Sequence, residues 1–291
     1  MTRIALRAFD GSLDDARGIL AVEQATFNDC PYYLEQMVQL ITAGGQWVWV
    51  AEVDGSVVGF VTAFLTRSLQ AASWEVDLLA VHPGYQRQGI GTALVRQAVT
   101  NAAGSGALQA RAVVALKNHA SRRAFESVGF EPLPGTFNLM RCVISGAVAR
   151  PPVPGMDMVR PLSGKNEAHD LLRLASLPHS ASEIVRLANH GTNAFLVAGR
   201  GNCVSAFVEM VRVQTLLYTG AWVEMVVTSR PQEAAPLIAS AVEWCRAREL
   251  DEIGCLVPVA DWRLRQTFVS EGFASEGEYL VMVRTLGDGS S

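Results

Sequence analysis

Several things are missing from this 291-residue chain. No apolar run approaches the ~18 residues of a membrane span, and Met1-Thr-Arg-Ile-Ala-Leu-Arg7 has no apolar export core. The five cysteines (30, 142, 203, 245, 255) are odd in number and make no Cys-x-x-Cys pair. That favours buried, reduced thiols over a disulfide frame or a zinc site, and cytoplasmic is the expected compartment. The five histidines lack a spacing such as His-Glu-x-x-His, so no metal is expected. Charge is sparse, at 18% of residues with a net charge of −4, which argues against nucleic-acid and membrane partners and weakly suits a cationic ligand.

What is present is ample apolar material, 49% of residues, enough for the two domains the length suggests. Ile4–Arg7 reads as a strand, and 12–26 and 32–42 as helices. Trp47–Val53 and Val57–Leu65 flank an Asp54-Gly55 hairpin turn. Strand 74–81, helix 89–103, strand 107–115, helix 119–128 and a strand near 137–144 follow. Trp47 and Trp49, at strand alternation, read as core or interface. Ser145–Gly155 holds three prolines and two glycines and reads as a linker.

Beyond the linker the grammar repeats. Ala194-Phe-Leu-Val-Ala198 matches Trp47-Val-Trp-Val-Ala51 at an offset of 147, and Phe268-Val-Ser-Glu-Gly272-Phe273 matches Phe125-Glu-Ser-Val-Gly129-Phe130 at 143. Tandem copies follow: 1–145 and 156–286, with linker 146–155 and tail 287–291. The four-residue drop falls between the fourth strand and the next helix. There Gln232 and Ala234 replace Gly89 and Gly91, and Pro231 and Pro236 withhold N–H groups.

The chemistry concentrates in Val81-His-Pro-Gly-Tyr-Gln86-Arg-Gln-Gly89-Ile-Gly91-Thr92, where a strand gives way to a helix opening on two glycines. A helix N-terminus offers unpaired N–H groups and positive potential to phosphate, and glycines clear the approach. A Walker loop is absent. A dinucleotide fingerprint would need a small residue where Leu94 stands and an acid in the next strand, which 108–115 lacks. Gln86-x-x-Gly89-x-Gly91 fits a third pattern, Gln/Arg-x-x-Gly-x-Gly/Ala. With Val81-His-Pro83 upstream and Asn118 to Phe130 downstream, residues from about 3 to 145 resemble the GCN5-related N-acetyltransferase (GNAT) superfamily.

The resemblance implies an α/β fold of the α+β mixed-sheet kind. Two tandem GNAT-like domains are expected, each a mostly antiparallel twisted sheet flanked by helices. It implies acetyl-CoA as co-substrate, held by Leu79, Val81, Gln86, Arg87, Gln88, Gly89, Ile90, Gly91, Thr92, Asn118 and Phe125. Acetyl would pass by direct attack to a primary amine of a small molecule or peptide. Glu75, which stands where some members keep a catalytic Glu, is the first candidate base; Asp77, two residues on, shares its strand face. Either could be the base, and both could be ordinary polar residues. Asn118 also suits a plain helix cap, and Arg87 is favoured over Arg122 and Arg123 for a phosphate because it sits in the loop. Phe125 occupies the place of the family's usual acid, a tyrosine, and cannot donate a proton. That departure keeps open a second function, a non-catalytic acyl-CoA-binding sensor or interaction module. Pro31-Tyr32-Tyr33 suggests an aromatic rim for the acceptor, and Cys30 reads as structural. The second copy is expected to be degenerate, leaving one carrier per chain. It would brace the first copy, cover the acceptor groove or form the face of a homodimer.

Overall fold

The computed structural model describes residues 4–27, 30, 32–102, 104–144, 154, 158–200, 203–216 and 218–287. The expected linker and tail lie outside the described residues apart from Pro154 and Gly287. The first half runs β1 (Ile4–Ala8), α1 (Leu13–Thr26), α2 (Leu34–Thr42), β2 (Trp47–Val53), β3 (Ser56–Arg67), β4 (Ala72–Val81), α3 (Ile90–Thr100), β5 (Gln109–Ala115), α4 (His119–Glu126), β6 (Glu131–Pro132) and β7 (Phe137–Val143). The second runs β8 (Val159–Pro161), α5 (Lys165–Ala175), α6 (Ala181–Asn189), β9 (Asn193–Arg200), β10 (Cys203–Gln214), β11 (Thr219–Thr228), α7 (Ala234–Arg246), β12 (Glu252–Pro258), α8 (Trp262–Ser270) and β13 (Ala274–Thr285).

Local chemistry sets many of these limits. Ser12 caps α1 by accepting the Asp15 N–H at 3.1 Å. Asp54 and Gly55 both take positive φ, the conformation a tight hairpin demands. The β5 burial pattern alternates strictly, so one face packs into a core. Helices α3 and α4 cover one face of the first half's strands, with Leu94, Val95 and Phe125 at the centre. Helices α1 and α2 cover the other face through Ile19, Met37 and Phe60.

The strands pair as one mostly antiparallel sheet, β1-β2-β3-β4-β5-β13-β7-β12-β11-β10-β9-β8, with β6 beside β13. The mixed α/β architecture is thus the expected one, with an exchange at its centre. β13, from the end of the second half, pairs with β5 along Tyr279–Thr285. β7, from the end of the first, pairs with β12 along Phe137–Val143. Each half's last strand completes the other's sheet, so 1–145 and 156–286 divide the sequence and not the sheet.

A second exchange lies at the hairpin tips. Leu69, between β3 and β4, is 1% exposed among α5, α6, β9 and β10. Leu216, 147 residues later between β10 and β11, is 2% exposed against α1, α2 and β3. Polar contacts repeat the symmetry: Gln46 Nε2 donates to Gln214 O at 2.7 Å, and Asn193 Nδ2 donates to Arg67 O at 2.6 Å. Burying a leucine is worth about 1.5–3 kcal/mol, so each tip is an anchor for the opposite half.

Candidate active site

Parallel pairing between β4 and β5 covers only Ser73–Glu75 with Gln109–Arg111. β4 then continues to Val81 against β3 alone, and a wedge opens on its other edge. Strand alternation says what faces that wedge. The Leu78 N–H goes to Thr62 Oγ1 at 3.1 Å and the His82 N–H to Val58 O at 2.9 Å, both on β3. The N–H groups of Leu79 and Val81 therefore point the other way, into the gap. The side chain of Gln86 donates to Val81 O at 3.0 Å, so it ties the following loop to the strand end.

The loop then turns through a short 3₁₀ segment, Pro83–Tyr85, with His82 Nδ1 accepting the Gly84 N–H. Arg87 and Gly89 take left-handed φ of 62° and 82°. The N–H groups of Arg87, Gln88, Gly89, Ile90, Gly91 and Thr92 have no hydrogen-bond partner among the described residues. A Cβ at Gly89 would meet nothing within 4 Å, and one at Gly91 only Val81 Cγ2 at 3.8 Å. The protein does not use the space its glycines leave, and a row of bare donors at a helix N-terminus borders it. These residues fit a diphosphate. The Arg87 side chain is exposed beside them. Asn118 caps α4 by accepting the Ser121 N–H at 3.0 Å and also faces the wedge, so its two expected roles are compatible. Phe125 is 3% exposed, packed edge-on to Phe130 with ring centroids 5.0 Å apart, and reaches the same wall.

The matching corner of the second half is closed. α7 begins at Ala234 behind Pro231–Glu233, and the Glu233 carboxylate accepts the Arg230 N–H at 3.1 Å and the Ser205 hydroxyl at 2.6 Å. A carboxylate thus sits where the first half leaves donors open.

From the wedge a cavity of about 400 Å³ runs across the sheet to the second half. Asp77, Glu75 and Arg111 line its first-half side; Tyr218, Trp222, Glu224 and Glu252 line the other. Phe27, Phe64 and Tyr279 add aromatic wall. The rim expected at 31–33 does not form it. Tyr33 is 77% exposed, Tyr32 packs with the α1–α2 core, and Pro31 lies outside the described residues. Cys30 packs with the α1–α2 core, its thiol pushed up by burial.

The two candidate bases differ sharply. Glu75 is buried and engaged: Thr66 Oγ1 donates to it at 2.7 Å, and Arg111 Nε reaches its two oxygens at 3.0 and 2.9 Å. Burial raises its pKa, and Arg111 opposes that rise. The other edge of Arg111 forks onto Glu224, Nη1 at 3.1 Å and Nη2 at 2.7 Å. Burial alone would lower the Arg111 pKa, but the two carboxylates more than reverse this. Asp77 is open to the cavity and accepts no hydrogen bond among the described residues. Its depth in the protein, then the charge of Glu75, push its pKa up to about 7. Across the cavity Arg141 forks onto Glu252, and the Tyr218 hydroxyl is driven up by burial and by the charges of Asp77 and Glu252. Four carboxylates therefore face two guanidiniums.

Sequence reasoning reached Glu75, Asp77 and the loop but missed Arg111, Tyr218, Trp222, Glu224 and Glu252. One signal was available: at the 147-residue offset, Glu224 is the counterpart of Asp77.

Residues 13–130 match the Acetyltransferase (GNAT) family. No curated protein is a significant match. Among solved structures, a GCN5-related N-acetyltransferase from Sphaerobacter thermophilus is 14% identical, covering 97% of this chain and 95% of its own, with a TM-score of 0.62. A tandem GNAT protein from the clavulanic acid biosynthesis pathway is 15% identical over 99% of both chains, with a TM-score of 0.59. A glucosamine N-acetyltransferase region of a fungal multi-domain GH3 β-N-acetylglucosaminidase is 16% identical with a TM-score of 0.61. It covers 98% of this chain, which spans 38% of that protein's length. No helix among the described residues is long and apolar enough to cross a membrane. Residues 13–130 are thus similar to the GNAT acetyltransferases, and the fold of the chain as a whole is similar to that of a tandem GNAT protein.

Proposed function

We propose that the protein moves an acetyl group from acetyl-CoA to the primary amine of a small cationic molecule, with Asp77 as the base. The observation that carries this reading is Asp77 itself, a carboxylate with no partner in an acid-lined cavity that opens from the wedge. Bound acetyl-CoA would supply an activated thioester. The residues fitted to hold it are the bare donors of 87–92 for the diphosphate, Leu79 and Val81 N–H for the pantetheine and carbonyl, and Asn118 alongside. An amine of pKa about 10.4 is only ~10⁻³ neutral at pH 7. Asp77, poised near 7, accepts the proton the amine must lose as its new C–N bond forms and the C–S bond breaks. The departing thiolate, of pKa near 8.5, needs little assistance, so Phe125 in place of a tyrosine is tolerable. Glu75, earlier the first candidate, becomes a fixed neighbour because Arg111 and Thr66 occupy it. The cavity volume and its excess of acid favour a small cationic acceptor over a long peptide.

The test is thiol release from acetyl-CoA across a panel of amines, comparing wild type with Asp77→Asn. Release by the wild type, rising with pH through about 7 as Asp77 ionises and lost in the variant, is the expected result. Phe125, a buried ring without a proton to give, favours the competing reading of an acyl-CoA-binding module. Tight carrier binding with no release above background for any amine would select that one.

A further inference from the structure

We infer that Glu224, although it belongs to the half without a carrier loop, is a positioning residue for the transfer just proposed. It holds the forked edge of Arg111 away from Asp77 and so leaves Asp77 free to take a proton. The inference rests on Asp77 being the base.

The geometry is a division of one cation between carboxylates. A guanidinium has five N–H donors in a rigid fork, and its strongest partner is a carboxylate that takes two parallel bonds. Here that two-bond edge, Nη1 and Nη2, is given to Glu224 at 3.1 and 2.7 Å. Glu75 receives only Nε, at 2.9–3.0 Å. Both acids are sequestered with Arg111, whose side chain is 16% exposed, while those of Glu75 and Glu224 are 10% and 2% exposed. Asp77, two residues from Glu75 on the same strand face, is the acid left over. Were Glu224 uncharged, the fork would lack its partner, and the free carboxylate in reach of the same cavity is Asp77. Pairing with Arg111 would fix Asp77 as a carboxylate and make it a weaker base.

The other charged or titratable groups on this cavity do not replace Glu224. From β7 and β12, Arg141 and Glu252 are committed to each other. Tyr218 from the β10–β11 hairpin and Tyr279 from β13 are phenols raised by burial and carry no charge near neutrality. The position is also telling. Glu224 stands 147 residues after Asp77, so the second copy's version of the base residue has become the partner that keeps the first copy's base unencumbered.

The experiment is a ¹³C carboxyl titration of Asp77 in the full chain, in wild type, Glu224→Gln and Glu224→Asp, paired with pH–rate profiles for the best amine acceptor. In Glu224→Gln the Asp77 midpoint and the rising limb are expected to move down by at least one pH unit. The kcat should fall at least tenfold and KM for acetyl-CoA stay within twofold. Glu224→Asp keeps the charge on a shorter stem and should shift in the same direction by less, and it serves as the probe if the Gln variant does not fold. An unmoved Asp77 midpoint overturns the inference, even if the rate falls, because a merely structural Glu224 would lower activity without moving the titration. A moved midpoint with no acetylation of any amine by wild type would instead remove the transferase reading and leave the positioning intact.

Discussion

At the mouth of each wedge the two halves make opposite choices. The first places Glu75 opposite Arg111. At the equivalent points, 147 and 143 residues on, the second places Trp222 beside Gly254, so closely that a Cβ on Gly254 would lie 3.0 Å from the indole. The backbone follows the same plan in both. Parallel pairing ends at Glu75 and Arg111 in the first half and one pair further on, at Val223 and Cys255, in the second. The donor corner follows the pairing chemistry: open amides and glycines in one half, prolines and the Glu233 carboxylate in the other. The two halves therefore share what folds and differ at the corner where donors stand open. What the second half retains toward the cavity is wall and charge, through Trp222, Tyr218, Glu224 and Glu252.

This contrast can be broken in several ways. The largest effect is expected from Asp77→Asn, which should reduce acetyl transfer by about 10²–10⁴-fold while carrier affinity stays within twofold. An unchanged rate would end its role as base. Next come the hairpin anchors. Leu69→Ala and Leu216→Ala should each cost roughly 2–5 kcal/mol in denaturant unfolding, and by nearly the same amount if the two halves are energetic as well as geometric twins. A large cost for only one would show that the exchange is one-sided. Third, Gly91→Val should weaken carrier binding more than about tenfold, as ordinary φ and a 3.8 Å neighbour leave the fold able to accept it. Calorimetry of the same protein should count one carrier per chain, and two equal sites would erase the distinction between the corners.

The smallest effect is on stability. The folded pKa of Asp77 is raised to about 7, above an unfolded value near 3.9, so its contribution favours folding below pH 4 and is lost as pH rises through 7. Asp77→Asn is consequently expected to raise Tm relative to wild type at pH 8 and to leave it level at pH 4. Equal Tm differences at both values would mean that Asp77 is not perturbed in the fold.

Much of this was legible because local patterns carry it. The Asp54-Gly55 turn, the alternation of β5 and the Gln86–Gly91 loop each require particular residues at fixed spacing, and all stand where those spacings put them. The exchange of β7 and β13 was not legible, because Phe137–Val143 would look the same beside any strand of matching polarity. Which of Glu75 and Asp77 is free of a partner was not legible for a related reason. Which carboxylate is free depends on Arg111, 36 residues away and adjacent only through parallel register. The residues the second half adds to the cavity wall, Tyr218, Trp222, Glu224 and Glu252, carried no motif that singled them out.

The exchanged strands impose an order on biosynthesis. β13 lies between β5 and β7, so the centre of the sheet is filled by Ala274–Thr285, a strand translated after every other strand of the sheet. The first half, though translated earlier, must wait with an unmatched β5 edge until the second half has emerged. Removing those twelve residues would strip the middle of the protein, not its margin.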